Sequence, residues 1–396
     1  MARLATLLIL LAAAASAQPR VISLDPALLA QAKVRAAAGD PALAPALARL
    51  RRDADKAAAL KPLSVMDKTR TAPSGDKHDY LSLAPYSWPD PAKPDGLPWI
   101  NRDGQVNPAS REGTDHQALD RLCGTVNTLA LAWYFTGQPD DAERAVALLK
   151  VWFLDDATRM NPNLTYAQGV PGRSDGSHWG IIDTVTMIAL ADDLGLLDGA
   201  PAFTPAVRDG LSQWFGALAK WLTESKNGLD ELSAPNNHGT WCHAQAAAYA
   251  LAAGDRATAR RMVEDSRRLI ASQIQPDGRQ PLELARTKSY SYTLYNLRAW
   301  FTLAQIGRGL DVDLFAVKTD DGRCLRVALD YLAPYFADPQ TWPGKQIEPV
   351  KAPDDGLATL LRQAARVYHE PRYEALLQPH RPALQASRLQ LLWPAG

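Results

Sequence analysis

The run Tyr134-Phe135-Thr136-Gly137-Gln138-Pro139-Asp140-Asp141-Ala142-Glu143-Arg144 reads as the end of one helix, a glycine stop, and the proline-led start of a second. Upstream, Leu119, Leu122, Val126, Leu129 and Trp133 recur at helical spacing; downstream, Ala142, Val146, Leu149 and Trp152 begin a returning apolar stripe. Two such helices joined by so short a turn form an antiparallel hairpin. The pattern returns in Leu251-Ala252-Ala253-Gly254-Asp255-Arg256-Ala257-Thr258-Ala259-Arg260, with a weaker echo at Val367-Tyr368-His369-Glu370-Pro371-Arg372-Tyr373-Glu374-Ala375. Gly137, Gly195, Gly254 and Gly307 each follow an alanine- and leucine-rich segment, at spacings of 58, 59 and 53 residues, and are read as helix ends. Each period has room for two helices.

Val207, Leu211, Trp214, Leu218 and Trp221 make another helical stripe, whereas sustained period-two alternation is scarce, so the fold class is all-α. Stacked hairpins give either an open solenoid or a ring closed on itself. Two irregular inserts, residues 69–114 and 159–180, favour the ring: an (α/α)n toroid or incomplete barrel with long loops over a central cleft. Loops this long in a compact domain are usually functional. Residues 18–396 are expected to form a single catalytic domain.

Residues 1–17 read as a signal peptide, with Arg3 as the charged start, Leu4 to Ala14 as the apolar run and Ala15-Ser16-Ala17 as the cleavage site. The expected location is periplasmic or secreted, with no membrane anchor, because no later apolar run is long enough to span a bilayer. The chain balances 43 basic against 43 acidic residues, and loss of Arg3 leaves a formal charge of −1. That argues against a nucleic-acid partner bound by a broad basic face. Cys123, Cys242 and Cys324 lack CxxC spacing and read as buried small side chains, with room for one disulfide at most.

Chemistry concentrates in Asn236-Asn237-His238-Gly239-Thr240-Trp241, followed 48 residues after its histidine by Arg286 and then by Tyr292. Carbon 5 of a uronic acid is a weak acid because its carbanion delocalises into a carboxylate that is already negative. Donors and a cation at that carboxylate lower the barrier by stabilising the developing charge. Asn237, His238 and Arg286 can supply them, and Tyr292, with Arg286 to lower its pKa, can take the proton. Standing alone, the Asn-Asn-His-Gly string would more often be a helix-entry turn than a site.

Three separated motifs now agree. The string at 236–241, the run Leu282-Glu283-Leu284-Ala285-Arg286-Thr287-Lys288-Ser289 before a tyrosine, and the segment from Lys77-His78-Asp79-Tyr80 to Trp88-Pro89-Asp90-Pro91 resemble the alginate lyase superfamily of helical-toroid polysaccharide lyases. The likeness spans roughly residues 70–340 and is nearest the branch acting on alginate and β-1,4-glucuronan. It implies β-elimination, with Asn237, His238 and Arg286 neutralising the carboxylate and Tyr292 as base and acid. Better-known members place arginine and tyrosine seven apart, whereas position 293 here is threonine, so Tyr290 and Tyr295 compete with Tyr292.

Substrate contacts are expected from Lys77, His78, Tyr80, Tyr86 and Trp88 in the first insert and from Arg173 and His178 in the second. Asn236, Trp241, Lys288 and Tyr290 flank the catalytic groups. The bland reading of the first set is a proline-rich loop packed on its own aromatics. No cofactor and no metal is expected: His238 and His243 are five apart, which does not suit a zinc pair on one helical face, and only a loop-bound calcium stays open. The partner is an anionic polysaccharide. Two rivals remain, an inverting glycoside hydrolase drawing on Asp115, Asp120, Glu231 or Glu283, and a non-catalytic polyuronate-binding protein.

Overall fold

The computed structural model describes residues 18–395, so the expected signal peptide at 1–17 lies outside the described residues. Helices dominate: α1 (Pro26–Ala37), α2 (Ala44–Ala58), α3 (His116–Thr136), α4 (Pro139–Phe153), α5 (Met187–Leu196), α6 (Pro205–Glu224), α7 (Lys226–Leu232), α8 (Asn237–Ala252) and α9 (Arg256–Gln273). They are followed by α10 (Pro281–Leu284), α11 (Ser289–Arg308), α12 (Leu325–Leu332), α13 (Asp355–Val367), α14 (Pro371–Leu377), α15 (Arg381–Leu384) and α16 (Leu389–Leu392).

An inner series runs α3, α5, α8, α11, α13, each in contact with the next, while α4 and α9 return along α3 and α8 as the second arms of hairpins and α6 packs against α8 and α4. The series closes because α16 packs on α13 and also on α1 and α2. Two side chains fasten the seam: Arg35 donates to the Ala395 carbonyl at 3.0 Å, and Arg388 donates to Asn127 Oδ1 at 3.1 Å and Thr128 Oγ1 at 2.6 Å. The toroid expected from the hairpin repeats is therefore the fold. Among the described residues no helix is long and apolar enough to cross a membrane.

The stripe residues Leu119, Leu122, Val126 and Leu129 are fully buried, as are Ala142, Leu149 and Trp152 of the returning helix. Helix α8 departs from this amphipathic rule. All of Gly239–Ala250 is buried, because α5, α6, α7, α9 and α11 surround it. Its six alanines between 244 and 252 leave room for that many neighbours.

The glycine reading needs one correction. Gly137 ends α3 in the left-handed region (φ 70°), and Gly254 lies just past α8 (φ 81°), as helix stops should. Gly195 and Gly307 instead lie inside the last turns of α5 and α11. A Cβ at Gly195 would stand 2.0 Å from the Arg20 carbonyl oxygen, and one at Gly307 2.4 Å from that of Val312. Those two glycines permit close backbone approach.

The inserts carry short strands that the sequence pattern did not show. β1 (Leu81–Leu83) pairs in parallel with β4 (Tyr166–Gly169), and β2 (Ser87–Trp88) pairs antiparallel with β3 (Ile100–Asn101). The first pairing ties the two inserts together, and Trp99 N–H donating to the Pro171 carbonyl at 3.0 Å adds to it. Together they form one wall over the ring. The three cysteines are buried and unpaired.

Candidate active site

A cleft of about 720 Å³ opens between that wall and the N-terminal ends of α8 and α11. Asn237, His238, Arg286 and Tyr292 all line it, although 48 residues of chain separate the second from the third.

Helix α8 begins where Asn236 caps it, its side-chain oxygen accepting from the His238 N–H at 3.3 Å. The next residue is held more firmly. Glu283, in α10, accepts from the Asn237 backbone N–H at 2.7 Å and from its Nδ2 at 2.8 Å. One amide hydrogen is thus committed to Glu283 and the other is left for a ligand. Burial raises the Glu283 carboxyl above the usual range, and the two Asn237 hydrogen bonds only partly offset it.

His238 follows at the mouth of the helix, where its Nδ1 meets Glu231 Oε1 at 2.6 Å. The other oxygen of Glu231 meets Nδ1 of His178 at 2.8 Å. An ionised carboxylate only accepts, so Nδ1 carries the hydrogen in both rings and Nε2 is the nitrogen His238 has left for chemistry. Burial works to raise Glu231, yet the two imidazole hydrogen bonds outweigh it and hold the carboxylate below its usual range. His178 is raised in turn, chiefly by its hydrogen bond to Glu231.

Arg286 sits over the Tyr292 ring, its guanidinium carbon 3.7 Å from the ring centre. Its Nε donates to Asp103 Oδ1 at 2.9 Å. Asp103 is fixed from its other oxygen by the Thr287 N–H at 2.8 Å and hydroxyl at 2.9 Å. Burial opposes ionisation of Asp103, but the Arg286 and Thr287 hydrogen bonds prevail and keep it below the ordinary carboxylate range.

The Tyr292 hydroxyl donates to Tyr86 Oη at 2.8 Å. Burial pushes the Tyr292 phenol far up, Tyr86 adds to the rise, and the Arg286 charge opposes it without prevailing. The resting phenol is therefore neutral, contrary to the expectation that Arg286 alone would make it a ready base. The two competitors also line the cleft. Tyr290 is 1 % exposed, packs edge-on against Trp342 and has no partner for its hydroxyl among the described residues; Tyr295 packs against Trp241. Of the three, Tyr292 alone stacks on Arg286.

The expected substrate contacts divide. Tyr86, Arg173, Lys288 and Tyr290 line the cleft, with Lys288 Nζ 2.6 Å from Glu348. Lys77, His78, Tyr80 and Trp88 do not, and here the packed-loop reading describes the structure. Lys77 donates to the Met66 carbonyl, His78 to that of Arg159 and Trp88 to that of Gln105. Tyr80 is fully buried, its hydroxyl on Asp183. Asn236, His178 and Trp241 also stand behind the lining, as the helix cap, the partner of Glu231 and the packing surface of Tyr295.

Sequence reasoning missed Asp103, Gln168 and Arg298, and weighed Glu231 and Glu283 only as hydrolase acids. Gln168 lines the cleft at φ 47°, its Nε2 donating to Asp183 Oδ1 at 2.7 Å. The Asp103-Gly104 pair was the one local signal, since a glycine beside an aspartate in an aromatic-rich insert marks a tight turn. Its partner lies 183 residues away. Among the described residues no group of three or more His, Cys, Asp or Glu side chains is placed to hold a metal ion.

The chain is similar to known proteins over most of its length. The family model described as alginate lyase matches residues 64–342. The crystal structure of an alginate lyase from Bacteroides ovatus superposes with a TM-score of 0.91 at 40% identity, covering 95% of this chain and 99% of that one. Alginate lyase A1-III from Sphingomonas species A1 shares the fold at 17% identity and a TM-score of 0.54, covering 88% of this chain and 90% of that one. A variant of A1-III complexed with a tetrasaccharide gives 17% and 0.57, covering 90% and 91%. No curated protein matches the chain. With a family model spanning most of its residues and a 40%-identical relative spanning nearly all of them, the chain belongs to the alginate lyase family and is a polysaccharide lyase.

Proposed function

We propose that this enzyme cleaves 1,4-linked polyuronates by β-elimination, with alginate, and polymannuronate blocks in particular, as the first substrate and β-1,4-glucuronan as the second. The observation that carries the reading is the convergence of the Asn237 amide, His238 Nε2 and the Arg286–Tyr292 stack on one cleft. Asn237, His238 and Arg286 surround the uronate carboxylate and stabilise the charge that develops on it. Tyr292 reacts as the phenolate, its own proton having first passed to solvent: it takes the C5 proton, the C5–H electrons form the C4–C5 double bond as the C4–O4 bond breaks, and the phenol so formed returns that proton to O4. No water is consumed.

In β-linked mannuronate and β-linked glucuronate the C5 hydrogen and O4 lie on the same side of the ring, within reach of one phenol. The two sugars differ only at C2, away from these groups, which is why both are proposed. A second reading is favoured by the neutral state of Tyr292 and by the Glu231 contact, which takes up Nδ1 of His238 and leaves Nε2 as the nitrogen open to substrate. There His238 is the base and Tyr292 the acid, an arrangement suited to α-linked guluronate, whose reacting groups lie on opposite faces.

Ultraviolet-monitored degradation of polymannuronate, polyguluronate and β-1,4-glucuronan side by side is the test. An absorbing unsaturated end on the same-face polymers supports the first reading, and faster cleavage of polyguluronate transfers the base role to His238. Saturated ends from all three polymers would sink elimination altogether. We further propose that residues 18–396 act as one catalytic domain and that residues 1–17 direct export to the periplasm or beyond, where a polymer too large to enter the cell is met. The support for export is the sequence pattern at 1–17.

A further inference from the structure

The cations of the cleft are unequal. Arg286 is paired with Asp103, Lys288 with Glu348, and His116 Nε2 lies 3.4 Å from Asp120. Arg298 and Arg173 also line the cleft, are exposed, and make no side-chain hydrogen bond or ion pair with any described residue.

Of these two, Arg298 is the one the fold positions. It continues a ridge along α11 made of the N-cap residue Lys288 and of Tyr292, Tyr295 and Arg298, spaced four, three and three residues apart and so on one side of the helix. At 1.5 Å per residue the ridge is about 15 Å long, and Arg298 lies about 9 Å beyond Tyr292 along it. Its stem is confined as well: a Cβ on Gly356, at the start of α13, would sit 3.3 Å from Arg298 Cδ, so the absent side chain there makes the space this arginine occupies. Asp354 shares that end of the cleft, but one of its oxygens caps α13 through the Leu357 N–H at 3.0 Å, and it forms no ion pair with Arg298. Burial raises the Tyr295 phenol, and the Arg298 charge opposes that rise.

An exposed guanidinium with no carboxylate of its own, held along the same ridge as Tyr292, is suited to a carboxylate brought by a ligand. We propose that Arg298 is a substrate-binding residue that pairs with the carboxylate of a uronate flanking the one being cleaved, so that the cleft selects polymers charged on neighbouring sugars. This inference rests on the polyuronate reading above and adds a specificity residue to it.

The test compares wild type, Arg298→Gln and Arg298→Lys on polymannuronate and on its shortest cleavable oligomer. For Arg298→Gln, KM on the polymer is expected to rise about tenfold with kcat within about twofold, the signature of lost binding common to ground and transition states. Arg298→Lys should recover part of the loss, and the penalty should shrink on the oligomer that lacks the flanking sugar and at high salt, where exposed charges are screened. An unchanged KM, a fall in kcat alone, or an equal loss on polymer and shortest oligomer overturns the proposal. If wild type turns over no polyuronate, the lyase reading fails separately. Calorimetric titration of a mannuronate oligomer into wild type and Arg298→Gln then decides this one, with weaker binding by the variant supporting it and equal binding, or none to either, refuting it.

Discussion

Replacing Tyr292 by phenylalanine removes one oxygen and leaves the ring stacked on Arg286, so substrate binding should survive while proton transfer does not. We expect kcat to fall on the order of 10²–10⁴ with KM within a few-fold. If Tyr290→Phe is instead the variant that loses turnover, the proton-transfer role passes to Tyr290. Arg286→Ala should lower kcat on the order of 10²–10³, as for a lost oxyanion donor, and a rise in KM alone would show that the guanidinium only binds. Behind His238, Glu231 gives a separate prediction by nuclear magnetic resonance titration. His178 should titrate above 6.5 in wild type and fall back toward that value in Glu231→Gln. Its folded pKa is raised, so the stability it contributes is complete below about 6.5 and is lost as pH rises through the raised value. A His178 that titrates identically in both proteins would mean that Glu231 does not hold its proton. The residue types of this site were legible because amide, imidazole, guanidinium and phenol occur in a motif-like order. The carboxylates that orient them were not, since Asp103 and Glu283 act through contacts 183 and 46 residues away in sequence.

At the level of elements, the hairpins were legible and the inserts were not. Helical stripes repeat a local period that any window of the sequence displays, whereas β1 finds its partner β4 across more than eighty residues with no alternation to announce it. Those inserts nevertheless set the chemistry, because the turn at Asp103-Gly104 carries the carboxylate that orients Arg286. Gly104 has φ 76°, and a Cβ there would stand 2.3 Å from Thr287 Oγ1, the hydroxyl that fixes Asp103. Gly104→Ala should therefore strain the turn by about 1 kcal/mol or more and shift Asp103 away from Arg286. The expected outcome is a several-fold loss of kcat with the unfolding midpoint little changed, because the turn lies outside the helical ring. Thermal denaturation beside steady-state kinetics checks it. Unaltered kcat would show that Arg286 holds its place without Asp103.

For the molecule as a whole, the consequential property is closure. An open stack of hairpins and a ring bury similar local surfaces, but they answer differently to damage at the C-terminal end. In a stack, loosening the last helix frays that helix; in a ring, it frees α1 and α2 as well, because α16 is packed on both. Leu391 tests the difference: it is fully buried in α16 and far in sequence from every residue that lines the cleft. Leu391→Ala should cost about 2–5 kcal/mol as a core truncation. If the ring unfolds as one body, urea should shift a single transition to lower concentration while kcat of the folded enzyme stays near wild type, since the cleft is built from α8, α11 and the two inserts. A separate early transition confined to the ends, with the main one unmoved, would show that the seam between α16 and α1 contributes nothing to the stability of the active-site helices.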